Sequence, residues 1–227
     1  MDGITTLFSE YNVFAAFGMT LLLTILSAIG ALLLGTIVAI MRVSPVPFLQ
    51  RLGAFYVNVV RNTPLTLIVA FCALGFYFGM NLSPLPPSVA MSWHIFTWGV
   101  IALSVYHAAF VTEALRSGVN TVPQGQAEAA RAIGLDFGMS LREVVLPQAF
   151  RGAIAPLGNT LIALTKNTTV VATIGVAEAA HMMSNMIEFN PDLLYLIFAI
   201  IAFGFVVLTL PTGIFFTSMS RRLAVQR

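Results

Sequence analysis

Two groups of polar residues stand where the surrounding sequence is apolar. Arg61-Asn62-Thr63-Pro64 sets a cation, an amide, a hydroxyl and a helix breaker side by side, and the stretch from Pro156 to Thr168 repeats that chemistry through Gly158, Asn159, Thr160, Thr165, Lys166 and Asn167. Such groups suit a small polar solute. A guanidinium grips both oxygens of a carboxylate, while ammonium, amide and hydroxyl groups add further hydrogen bonds. Arg61, Asn62, Thr63, Asn159, Lys166 and Thr168 are therefore candidate substrate-binding residues, with Arg61 or Lys166 meeting a carboxylate. The competing reading is that Arg61 and Lys166 fix helix packing, with Glu113 as a counter-charge.

Other chemistries find less support. His94, His107 and His181 are too scattered for a metal site and read as packing or interfacial residues. No nucleophile with a nearby base stands out, so an enzyme is the weaker class and no cofactor is expected. The single Cys72 excludes an intramolecular disulfide.

The elements that position these residues belong to a membrane. Hydrophobic residues make up 58% of the chain and charged residues 9%, against about 25% charged in soluble domains. Apolar stretches lie near Val13 to Met41, Leu52 to Met80, Trp93 to Leu115, Gly152 to Val176 and Leu193 to Ser218. Each reaches the ~20 residues of a spanning helix. An all-α integral membrane protein with five transmembrane helices is expected, forming one domain over residues 1–227. The first stretch is too long, and lacks the basic flank, for a cleaved signal peptide.

Charge placement gives the orientation. Arg42 and Arg51 bracket the first connection, Arg116, Arg131, Arg142 and Arg151 mark the third, and Arg221, Arg222 and Arg227 mark the tail. Retention of basic residues on the inner side makes these segments cytoplasmic. The N-terminus, residues 81–92 and residues 177–192 contain no Lys or Arg and would face outward, with Glu178, His181 and Glu188 on a solvated loop. Trp93 and Trp98 then read as aromatic anchors at an outer boundary. The net charge of +2 serves topology and implies no nucleic acid.

Arg61 and Lys166 remain inside the apolar stretches, where a cation costs about 2.5–3.5 kcal/mol and faces a bundle interior or a wet cavity. Pro64 should leave the Val60 carbonyl without its helical donor. Two polar, interrupted helices suggest one pocket.

The third connection, residues 117–150, is long and polar. Thr121 and Gln124 have capping-box spacing, and Pro123 is tolerated in a first turn, so a helix is expected over about 121–134 with Gly134 as its stop. Ala127, Ala130 and Gly134 would form a small-residue face open to a partner. The alternative is an amphipathic helix on the inner leaflet, for which the segment has too few large apolar residues.

Within this connection Glu128-Ala129-Ala130, Gly134, Val144, Leu146 and Pro147 resemble the ATPase-docking signature of ABC import permeases, with Val144 where Ile is usual. Arg61-Asn62-Thr63-Pro64, Glu113 with Arg116-Ser117-Gly118, Gly125-Gln126, Leu146-Pro147-Gln148-Ala149 and Lys166-Asn167-Thr168 resemble the polar amino acid branch, most closely the actinobacterial glutamate permeases. Asn62 and Asn167 depart from the wider branch, where Gly and Asp are usual.

The resemblance implies a type I ABC importer fold in the bacterial plasma membrane, N-terminus outside and C-terminus cytoplasmic. It also implies two ATPase subunits that bind ATP, a second related permease and an extracytoplasmic substrate-binding protein. Gln126, Glu128, Ala129, Ala130, Gly134 and Pro147 become the ATPase-coupling residues, and a polar amino acid, glutamate first, the cargo. Glutamine, aspartate and basic amino acids are the alternative cargoes. Lys166, the only lysine, lies between Thr165 and Asn167, so the sequence has no P-loop. Energy must come from a partner or from an ion gradient. The rival class is therefore a secondary transporter or channel using Arg61, Glu113 and Lys166.

Overall fold

The computed structural model describes residues 2–223, except for the side chains of Asp2, Gln124 and Ala127; Arg227 of the basic tail lies outside the described residues. The described chain is helical, with α1 over Asp2–Glu10, α2 over Val13–Val43 and α5 over Met91–Val119. Asn12 caps α2 by accepting the Ala15 N–H at 3.0 Å. α2 and α5 pack along their lengths. Small and hydroxyl-bearing residues permit that approach. Gly30 lies under Ser104, and the Thr112 hydroxyl donates to the Gly35 carbonyl at 3.0 Å. α8, Leu146–Asn167, lies against α5 and is followed by a 3-10 segment, Thr168–Ile174. α10, Leu194–Leu223, covers α8, with the Phe216 ring seated over Gly158.

Three helices are long and apolar enough to cross a membrane: α2, α5 and the rod Pro191–Leu223. The other two apolar stretches are broken. α3, Pro47–Arg61, meets α4, Leu65–Ala70, and the π-helical Phe71–Gly79 at 99°. The rod Phe137–Ile174 meets α9, Ala179–Phe189, at 55°. The span count is therefore three to five, five if each bent pair is one span.

Local chemistry explains the first break. Pro64 cannot donate, and with ψ 132° it starts α4 from an extended conformation. The Asn62 side chain donates to the Asn58 carbonyl at 2.7 Å, and the Thr63 hydroxyl donates to Val59 at 2.8 Å. The Val60 carbonyl, expected to be open, instead accepts the Thr63 N–H at 3.3 Å. A tightened last turn has absorbed the missing donor.

α3 itself presents three faces. Gly53, Val57 and Val60 are buried, Phe48, Leu52, Phe55 and Val59 form an exposed apolar stripe, and Asn58 and Arg61 lie on an exposed polar stripe. The Tyr56 hydroxyl ties this helix to α5 by donating to the Val105 carbonyl at 2.6 Å.

The second break corrects the expected outer loop. Residues 179–189 are helical, and Glu178, expected on a solvated surface, is 0% exposed. Its carboxylate caps α9, accepting the Ala180 and His181 N–H groups at 2.9 Å each. Thr20 of α2 lies 3.4 Å from the same carboxylate and accepts the Ala179 N–H at 3.2 Å. A capping carboxylate satisfies the orphan donors of a helix start, which is why this acid is stable inside the bundle. Glu188 stays exposed.

Candidate functional site

Arg61 closes α3 at the elbow, and its side chain is 44% exposed. Its guanidinium carbon lies 5.4 Å from the centre of the Phe110 ring, within cation–π range, and its Nη1 is 4.0 Å from Glu113 Oε2. Glu113 is held more closely by others. Arg116 Nη2 donates to it at 2.9 Å, and Arg42 of α2 pairs with its other oxygen. One carboxylate thus stands among three guanidiniums, a surplus of two positive charges. The neighbouring polar groups of the elbow, Asn62 and Thr63, are exposed and half-buried, their side chains turned back onto the Asn58 and Val59 carbonyls.

On α8, Asn159 and Lys166 are exposed and seven residues apart, which places them on one face about 10 Å from each other along the axis. Thr168 does not share that face. It is fully buried, and its hydroxyl donates to the Thr165 carbonyl at 2.8 Å. The residues singled out from the sequence therefore fall into an elbow set, Arg61, Asn62 and Thr63, and an α8 set, Asn159 and Lys166, with Thr168 inside the helix junction.

The two interrupted stretches meet. α4 packs against the 3-10 segment that follows α8, and α5 runs beside both. His107 of α5 makes the link, although its sequence position gave no reason to treat it as more than packing. It is 1% exposed, its Nδ1 lies 3.0 Å from the Leu103 carbonyl, and its Nε2 lies 3.2 Å from Asn167 Nδ2. Its ring centre is 6.1 Å from that of Phe110, over which Arg61 sits.

The third connection contains α6 over Gln124–Ala132, shorter than expected and without a side-chain cap. Thr121, expected to cap it, instead donates its hydroxyl to the Gly118 carbonyl at 2.7 Å, completing the end of α5. Gly134 is the stop. Its φ is +87°, its N–H bonds to Arg131 at 3.0 Å, and the Leu135 N–H bonds to Ala130 at 3.1 Å, the paired bonds of a Schellman motif.

The face offered outward differs from the expected small-residue face. Ala130 is buried against its own chain, whereas Gln126, Glu128, Ala129 and Gly134 are exposed; the Ala127 side chain lies outside the described residues. Gln126 accepts a hydrogen bond from Gln148 Nε2, which also reaches the Val144 carbonyl at 3.0 Å. Pro147 is exposed where the π-helical turn Leu141–Val145 passes into α8. α6 is thereby tied to the helix that carries Asn159 and Lys166.

Residues 31–225 match the family described as binding-protein-dependent transport system inner membrane component. The chain belongs to that family. This permease is 51% identical over 214 residues to the glutamate transport system permease protein GluC of Corynebacterium glutamicum, covering 93% of this chain and 94% of that one. It is 31% identical over 221 residues to the probable glutamine ABC transporter permease protein GlnM of Bacillus subtilis, covering 97% of each.

Among solved structures, an amino acid ABC transporter crystallised with histidines superimposes with TM-score 0.81 at 28% identity, over 96% of this chain and 97% of that one. The inward-facing MetNI methionine transporter, 17% identical, shares the fold with TM-score 0.71 over 99% of this chain and 100% of that one. The permease is thus an all-helical, multi-pass membrane protein with the type I ABC importer fold, a transport component and not an enzyme.

Proposed function

We propose that this permease carries glutamate into the cytoplasm as one gate half of an ATP-driven importer. The observation that carries the cargo is the exposure of Arg61 and Lys166, two cations on the open faces of otherwise apolar stretches. An amino acid with two carboxylates matches that pair. The names of the Corynebacterium relatives favour the same substrate. Arg61, Asn62, Thr63, Asn159 and Lys166 contact the cargo, and Thr168 acts at the helix junction below them.

The working complex has five spans in this chain, N-terminus outside and C-terminus cytoplasmic, in line with the arginine distribution. It is completed by a related second permease, two ATPases that bind the ATP and an extracytoplasmic binding protein that delivers substrate. Gln126, Glu128, Ala129, Ala130, Gly134 and Pro147 build the docking element, and the Gln126–Gln148 bond passes its movement to α8. An ion-driven carrier finds less support, because Glu113 is engaged by arginines and Glu178 by a helix start, leaving neither poised as a proton relay.

The test is reconstitution of the complete complex in proteoliposomes with labelled glutamate, glutamine, aspartate and arginine. ATP-dependent uptake preferring glutamate is expected, and Thr63→Ala or Asn159→Ala should lower affinity or selectivity in an assembled complex. Uptake by this chain alone without ATP would overturn the reading.

A further inference from the structure

We infer that His107 is a positioning and specificity-determining residue of the transport site, a role that rests on the glutamate reading above. The Leu103 carbonyl can only accept, so the His107 nitrogen 3.0 Å away, Nδ1, carries the ring proton. Nε2 of the neutral ring is then an acceptor, and it takes an N–H of the Asn167 amide at 3.2 Å. This tautomer fixes the amide: its nitrogen faces the ring and its Oδ1 faces away.

Two consequences follow for the site. Asn167 is the last residue of α8, directly after Lys166 and directly before the 3-10 segment. Anchoring Asn167 on α5 therefore holds the helix end that presents the Lys166 ammonium. The ring also sets the charge allowed at position 167. A carboxylate there would point its oxygens at the Nε2 lone pair, an acceptor facing an acceptor, whereas an amide donates. Asn167 is thus the neutral partner that the ring accepts, Lys166 has no anion at the next position, and the site retains its charge for an anionic side chain. The burial of His107, at 1% exposure, means that it does this without touching cargo.

The experiment compares ATP-driven uptake of glutamate and glutamine by the complete complex carrying His107→Leu, His107→Gln or Asn167→Ala. His107→Leu removes the acceptor, and His107→Gln offers an amide oxygen that can accept in its place. The wild-type preference for glutamate over glutamine, as a ratio of kcat/KM, is expected to fall at least five-fold in His107→Leu, chiefly through KM, and to recover at least half-way in His107→Gln. Asn167→Ala should reproduce the loss with His107 intact, and it carries the test where His107→Leu does not assemble. An unchanged ratio in an assembled His107→Leu complex, or in Asn167→Ala, overturns the inference. A uniform drop in kcat for both substrates overturns it too, since that is what a purely structural role gives. Absence of ATP-driven glutamate uptake by the wild-type complex overturns the functional reading itself, a result distinct from a wild-type complex whose variants keep its preference.

Discussion

Gly118 of α5 and Ala149 of α8 meet backbone to backbone: the space a β-carbon on Gly118 would need is filled by the Ala149 carbonyl, with the Ala153 methyl at 3.0 Å. Neither obstacle is the end of a flexible side chain. Gly118→Ala must therefore push the two helices apart, at a cost of about 1–3 kcal/mol or more from overpacking. Gly18→Ala, where a β-carbon meets nothing, should instead be neutral or stabilising by up to about 1 kcal/mol through helix propensity. Thermal unfolding of the purified complex distinguishes the two, and equal midpoints would refute the close contact.

The charge cluster at Glu113 predicts non-additivity. Glu113→Gln leaves Arg42, Arg61 and Arg116 together without their counter-ion and should destabilise the complex by about 1–3 kcal/mol, less than a fully buried pair because the site is partly exposed. Combining it with Arg116→Gln should cost less than the sum of the single changes. Additive losses in denaturant melts would mean that the pair is not coupled.

Glu178 gives a capping prediction. Glu178→Ala strands the Ala180 and His181 N–H groups inside the bundle and should cost about 1–2 kcal/mol or more. Thr20→Val removes an acceptor for the Ala179 N–H and should be milder, because the carboxylate remains. Faster amide exchange confined to the start of α9 would be the signature of both; protection equal to wild type would exclude the cap.

Coupling should fail separately from folding at α6. Gly134→Ala forces a side chain into the left-handed region at φ +87°, at a cost of about 1 kcal/mol, while Glu128→Ala strains nothing because Glu128 is exposed. Both should lower glutamate moved per ATP hydrolysed while the binding protein still captures substrate. Gln148→Ala, which cuts the Gln126 link, should act in the same direction. Transport stoichiometry unchanged in all three would remove α6 from the force path.

What the sequence made legible was local. The helix stop at Gly134 and the break at Arg61-Asn62-Thr63-Pro64 follow from neighbouring residues, and both are present. Glu178 was misjudged because its partner Thr20 lies 158 positions away, and the bond from Asn167 to His107, buried as a packing residue should be, spans 60 positions and was equally out of sight. A lone acid or histidine carries no mark of a distant hydrogen bond. Thr121 failed for another reason: a hydroxyl between two helices serves the end of one as readily as the start of the next, and here the Gly118 carbonyl claimed it. The five apolar stretches were visible, but hydropathy is blind to direction and could not register a 99° turn.

That turn bears on how the chain is made. α3 has 15 residues, about 22 Å of helix, short of a hydrocarbon layer about 30 Å thick. Its anchors, Val105 and Ala109 of α5, leave the ribosome after it does. Until they arrive only part of its buried face is matched, by Val38 and Arg42 of α2, while the stripe of Phe48, Leu52, Phe55 and Val59 suits the headgroup region. The burial of α3 is therefore completed late in biogenesis, when α5 docks, although the bend itself is written locally at Pro64.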